Sequence, residues 1–291
     1  MGKTDLSLQL AQRFNGEIVS ADSRLFYRGL DIGTAKPTTA EQTAVSHHFI
    51  DICDPDETLT LAEYQEQAYA TIDAIHQRGR LPILVGGTGQ YVLAVVEGWG
   101  IPRVSPQHEL RRALQRLGGP ELHRWLRYLD PDKAVEIHPH NVRRVIRALE
   151  VTLVSGRPIS ELQQKRPPSY HLCWLGLHRD RADLYGRIDT RVDQMLAGGL
   201  LDEVKRLQAA GYGRRLPSMS GLGYRQFLDH LSGELTLAEA TERMKFETHR
   251  FARQQHTWFR RDDGRIAWFD MGEDDGVETA VFEYVANCLQ R

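Results

Sequence analysis

The chain has 291 residues, 41% hydrophobic and 26% charged, enough to bury a substantial core as one large domain or as a domain carrying an insertion. No stretch approaches the roughly 18 consecutive apolar residues of a membrane span, and Lys3 and Asp5, with no apolar core behind them, are unlike a signal peptide. A formal charge of −2 and three scattered cysteines (Cys53, Cys173 and Cys288) suggest neither a metal cluster nor a disulfide framework, and fit a reducing cytoplasm.

In chain order the pattern is α/β. Apolar residues at Leu6, Leu10 and Phe14 predict a helix over 4–14, directly behind Gly2-Lys3-Thr4. Residues 17–22 (EIVSAD) predict a short strand ending in polar residues, 47–53 (HHFIDIC) a second, and 81–87 (LPILVGG) a third closed by glycines. A helix is expected over 61–79, ended by Gly79. From Pro102 to Pro168 only short helical segments between prolines are predicted. Strands return at 171–177 and 265–270, with helices over about 183–210, from Gly223, and within 236–261. Alternating strands and helices imply a mostly parallel sheet covered on both faces. The expected organisation is a first part of the α/β core over 1–101, a helical insertion over 102–168, and a second part of the core with C-terminal helices over 169–291.

Charge is segregated. Six arginines lie between Arg103 and Arg127 against Glu109 and Glu121, and Arg143, Arg144 and Arg147 follow, so a local basic surface is compatible with the near-neutral total. His47 and His48 point to opposite faces of their strand and are read as structural. Trp125, Trp174, Trp258 and Trp268 are read as packing residues.

Gly2-Lys3-Thr4 before a helix matches the last three residues of a phosphate-binding loop, G-x-x-x-x-G-K-[ST]. In such a loop, amides and a helix N-terminus hold phosphate oxygens, the lysine neutralises charge, and the hydroxyl ligates Mg²⁺. Asp22 falls just past the carboxyl end of a predicted strand, where open α/β sheets bind ligands, and can serve there as a general base. The glycines of GGTGQY (86–91) allow close backbone approach to a ligand, with Thr88 as a polar contact.

Taken in order, GKT, then DSR with DIGTAKP, HHFIDICDPDE, ILVGGTGQY, RRVIRALEV and GYRQ closely resemble the bacterial tRNA dimethylallyltransferases, or tRNA isopentenyltransferases, from residue 1 to about 262. The resemblance implies a P-loop nucleotide-kinase-like fold, with its nucleotide-binding, ATP-type loop turned to another use, and a helical insertion that grips the anticodon stem-loop of tRNA. It implies transfer of a dimethylallyl group from dimethylallyl diphosphate to N6 of adenosine 37, in tRNAs reading codons that begin with U. On the family pattern Asp22, Thr88 and Arg225 are catalytic. Gly2, Lys3, Thr4 and Arg225 hold diphosphate, and Thr4 also holds Mg²⁺. Asp22, Ser23, Arg24 and Leu25 lie against the target base and its neighbours. The segment Arg143, Arg144, Val145, Ile146 and Arg147 contacts tRNA, although Arg143 stands where the family more usually has Gln, and Arg111 falls near another tRNA contact. For Arg147 an ion pair with Glu150 on the same helix is the alternative. No membrane and no obligate protein partner are implied.

Two other readings share these residues. A small-molecule kinase would use the same loop, but there is no arginine-rich lid pattern, and DIGTAKP is not a kinase signature. A catalytically impaired RNA-binding protein is the other, because the phosphate loop is cut short. Met1 stands at the variable position just before GKT. The expectation is an internal methionine, preceded in the gene by about a dozen residues forming a strand and a G-P-T-A-like turn. For residues 1–291 alone, weak or no catalysis is expected.

Overall fold

The computed structural model describes residues 2–272 and 276–290; Met1, on which the start-site expectation turns, lies outside them. The chain divides into two compact units, one made of residues up to 92 together with those from 170 onward, the other of Leu93–Ser169.

The first unit begins with α1 (Lys3–Arg13), β1 (Gly16–Ser20), α2 (Thr39–Ala44), β2 (His47–His48), α3 (Leu61–Gln77), β3 (Leu81–Val85) and the start of α4 (Gly89–Val96). The second unit holds α5 (His108–Gln115), α6 (Gly119–Leu129), α7 (Pro131–Glu136), α8 (Val142–Ser155) and α9 (Ile159–Leu162). The chain then returns to the first with β4 (Leu175–His178), α10 (Arg181–Ala197), α11 (Leu200–Ala209), α12 (Tyr224–Leu231), α13 (Leu237–Gln255), β5 (Ala267–Asp270) and α14 (Val277–Leu289).

The strands are parallel, as their pattern predicts, but fall into two sheets, β2-β1-β3 and β4-β5. Ser20 is in register with Val85, so β1 and β3 end side by side. The expected strand over 47–53 shrinks to two residues, because Phe49 and Asp51 adopt φ of +64° and +54° and turn the chain toward residues 25–27. His47 and His48 do face opposite ways: His47 Nδ1 meets the Val45 carbonyl (2.8 Å), and His48 Nε2 meets buried Glu17 (2.6 Å).

Local chemistry sets the helices. In α3, Thr60 and Glu63 form a capping box, and Tyr64, Ala68, Ile72 and Ile75 make one buried stripe. The helix expected over 183–210 is two helices, broken at Gly198-Gly199; Gly199 takes φ +99° and its carbonyl accepts the Glu203 amide (2.9 Å).

Side chains from both sheets share one core, in which Leu6 and Leu10 of α1 and Val281 and Val285 of α14 pack with Ile83, Leu175 and Phe269. A second core of this unit joins α10 to α13 around Leu200, Val204, Phe227 and Met244. The other unit has a core of its own, including Leu122, Leu126, Val145 and Leu149. Among the described residues no helix is long and apolar enough to cross a membrane.

Candidate active site

The carboxyl ends of β1 and β3 and the N-terminus of α1 converge. Gly2, at φ +80°, turns the chain into α1, and the first intrahelical bond is from the Leu6 amide to the Gly2 carbonyl (3.0 Å). The amides before Leu6 therefore have no partner within the helix, the usual setting for an anion at a helix N-terminus. Lys3 keeps some exposure as a residue, but burial of its ammonium pushes its pKa below the ordinary lysine range; Asp22 pulls it back up and Arg191 lowers it further.

Glycines keep this junction tight. A Cβ on Gly86 would stand 2.7 Å from the Ala21 carbonyl oxygen, and one on Gly87 2.7 Å from Lys3 Nζ and 2.6 Å from Gln255 Nε2. At Gly89 it would meet Trp258, 2.2 Å from Cγ. Thr88 is half-buried in this turn, and its carbonyl accepts the Tyr91 amide (3.0 Å) at the start of α4. The end of α13 thus closes over the glycine turn that follows β3.

Asp22 is held by its neighbours. Its amide donates to Ser20 Oγ (3.3 Å), its Oδ1 accepts the Arg24 amide (3.0 Å), and its carbonyl accepts the Leu25 amide (3.1 Å). Ser23 and Leu25 are partly exposed. Arg24 turns its guanidinium to the carbonyls of Pro217 (2.8 Å) and Ser218 (3.1 Å), so its side chain is committed to the protein.

Next to Gly2 lies a cleft of about 680 Å³, lined in part by Asp5, Arg179, Arg187, Arg191 and Gln194. Arg191 is the residue that sequence reasoning missed. Its signal was available in the spacing of residues 183, 187, 191 and 194, which share a face of a helix already expected there. Gln255 also went unassigned, because a helix end reads only as a helix end, and Trp258 was read only as a packing residue.

Other assignments change. The guanidinium of Arg225 pairs with Glu247, and Arg225, like Lys3, Thr4, Asp22 and Thr88, is not among the residues that line the cleft. Burial, with Arg243, lowers its pKa, and its Nε has no hydrogen-bond partner among the described residues. Arg111 and Arg147 both grip the fully buried carboxylate of Glu150, Arg111 through Nε (2.7 Å) and Nη2 (2.8 Å), Arg147 through Nη1 (2.5 Å). The ion-pair alternative is thus the one seen for Arg147, and Arg111 shares it. Val145 and Ile146 are 0% and 4% exposed, which removes their side chains from an RNA-facing surface. Arg143 and Arg144 remain exposed on α8. Trp125 and Trp258 keep 42% and 43% exposure, more than simple packing residues would.

For Mg²⁺, the described residues contain no group of three or more His, Cys, Asp or Glu side chains able to hold a metal. The oxygen donors near the helix start, Thr4 and Asp5, are few and hard. They suit an ion that takes most of its ligands from a bound phosphate and water, as Mg²⁺ commonly does.

This fold is of the P-loop-like α/β class, with the N-terminus of α1 set beside the carboxyl ends of a parallel sheet. A family model described as IPP transferase matches residues 25–262. The tRNA dimethylallyltransferase of Roseiflexus sp. (strain RS-1) is 57% identical over 265 residues, 90% of this chain and 87% of the relative. That of Thermomicrobium roseum is 50% identical over 282 residues, 96% of this chain and 85% of the relative. Among solved structures, the full-length tRNA isopentenylpyrophosphate transferase from Bacillus halodurans superposes with a TM-score of 0.74 at 42% identity, covering 99% of this chain and 93% of its own. A eukaryotic dimethylallyltransferase acting on tRNA gives 0.81 at 28% identity, covering 98% and 77%. The chain belongs to the IPP transferase family.

Proposed function

We propose that this protein transfers a dimethylallyl group from dimethylallyl diphosphate to N6 of adenosine 37 in tRNAs reading codons that begin with U, in the cytoplasm. The observation that carries this reading is the close approach of Lys3 and of Ala21, the residue before Asp22, to the glycine turn at the ends of β1 and β3. Relatives named for this reaction or for acting on tRNA support it.

The N6 lone pair of adenine is delocalised into the ring, so the amine is a weak nucleophile. Asp22 accepts the N6 proton as nitrogen bonds to the allylic carbon. The carbon–oxygen bond breaks at the same time, and diphosphate leaves with the electron pair. Lys3 and the free amides at the start of α1 stabilise that leaving charge, and Arg191 adds a third positive element beside them. Thr88 lines the path between the reacting groups. Thr4 would hold Mg²⁺, which when bound neutralises charge on the diphosphate.

Adenosine 37 lies in the anticodon loop and can be splayed into a pocket at modest cost. Ser23 and Leu25 flank it beside Asp22, while Arg143 and Arg144 hold phosphates of the anticodon stem-loop and set position rather than sequence. The test is incubation of the protein, expressed from its own locus, with unmodified tRNA and labelled dimethylallyl diphosphate. Label enters tRNA with the wild-type protein and not with Asp22→Ala; full incorporation by Asp22→Ala would remove the role given to Asp22.

A further inference from the structure

The ladder of β1 loses a strand partner just where Asp22 has to be held. On the β2 side, the Ile18 amide donates to the Ser46 carbonyl (2.9 Å), and Ile18 is in register with His47. Parallel pairing alternates, so the next carbonyl of β1 facing that side is Ser20, and its regular donor would be the amide of Ile50. That donor does not arrive. Phe49 and Asp51 carry the chain away with positive φ, and the amides of Asp51 and Ile52 go to the carbonyls of Leu25 (3.1 Å) and Phe26 (2.8 Å).

The hydroxyl of Tyr64, from α3, donates to the Ser20 carbonyl at 2.9 Å in its place. Tyr64 is 0% exposed. Its ring is fixed by Phe26 (stacked, 5.4 Å between centroids), Phe49 (5.1 Å) and Tyr91 (4.9 Å). Burial, aided by Tyr91 and Asp22, pushes its phenol above the ordinary range, so it stays a protonated donor. Ser20 in turn receives the Asp22 amide on Oγ, and Asp22 Oδ1 receives the Arg24 amide.

We propose that Tyr64 is a positioning residue that substitutes for the missing strand donor at Ser20 and so fixes the backbone from which the Asp22 carboxylate reaches its substrate. Without it a buried carbonyl loses its partner, and the turn from Ser20 to Leu25 can relax. The proposal rests on Asp22 being the base, since small displacements of a catalytic group are costly in rate.

Tyr64→Phe keeps the ring and removes the donor. The expected result is a fall in kcat for prenyl transfer of about tenfold, with KM for tRNA and for the diphosphate within about twofold. Ser20→Ala, which removes the acceptor of the Asp22 amide, should lower kcat in the same selective way. The double variant should lose little more than the worse single one, because both act through one network. Hydrogen exchange of the amides from residue 20 to 25 should accelerate in Tyr64→Phe whether or not turnover is measured. Unchanged exchange in that segment, losses in kcat that multiply, or a loss confined to KM would each overturn the proposal. A wild-type protein that binds tRNA but transfers nothing would contradict the prenyl-transfer reading instead, and the exchange measurement would still decide the role of Tyr64.

Discussion

Glu203 accounts for much of what makes DIGTAKP recognisable. Its buried carboxylate accepts the amides of Asp31 (3.0 Å), Ile32 (2.8 Å) and Gly33 (3.2 Å) and the Tyr224 hydroxyl (2.7 Å). Gly33 is needed because a Cβ there would meet the Tyr224 ring at 2.7 Å, and Lys36 closes the segment on Asp31 and Asp51. The motif was legible as a signature, but its partner 170 or so positions away was not, since no local pattern couples the two. Glu150 is a similar hidden acceptor. Burial alone would raise its pKa, yet hydrogen bonds from Arg111, the Gln107 amide and Arg147 bring it to about 2 from an ordinary 4.5. A depressed carboxyl pKa stabilises the fold above about pH 4.5 and loses that contribution as pH falls toward 2. Discounted for arginines one-third exposed, it is worth about 2 kcal/mol. Urea unfolding of wild type and Glu150→Gln between pH 5 and 2 should show the steeper loss in wild type; parallel curves would contradict the assignment.

At the scale of elements, strands and helices with strong periodicity were readable: α3 with its capping box, β1, and β3 all fall within a few residues of their predicted places. What could not be read was where a pattern stops for geometric reasons. The apolar alternation of 47–53 continues through Phe49, but positive φ ends β2 after His48. The stripe of 183–210 likewise gave no sign of how far Gly198-Gly199 separates α10 from α11. The junction between β3 and the end of β1 is tight. Gly86→Ala would press a methyl against the Ala21 carbonyl (2.7 Å) and Ala21 Cβ (2.8 Å), backbone and short side chain that cannot swing aside. It should cost about 1–3 kcal/mol of stability and depress kcat, because the displaced residue adjoins Asp22. A thermal melt and a single-turnover rate check this; a variant with wild-type melting and rate would show the junction to be slack.

Taken whole, the molecule keeps its candidate sites apart. The N-terminus of α1, Asp22 and the cleft at Gly2 belong to the α/β unit, while the exposed arginines of α8 belong to the helical unit with its own core. The middle without strands was legible in the sequence, although which arginines are spent inside the fold, such as Arg111 and Arg147, needed the position of Glu150. Arg143→Ala and Arg144→Ala should each weaken tRNA binding and reduce the slope of log affinity against log salt by about 1, leaving KM for the diphosphate unchanged. Binding titrations at several salt concentrations decide this, and an unchanged slope would free α8 from phosphate contact. The most direct measurement is nucleoside analysis of tRNA recovered after incubation with dimethylallyl diphosphate and the protein expressed from its own locus. One dimethylallyl group on N6 of adenosine 37, absent with Asp22→Ala, is the predicted result; unmodified adenosine 37, or the group on another nucleotide, would contradict the account.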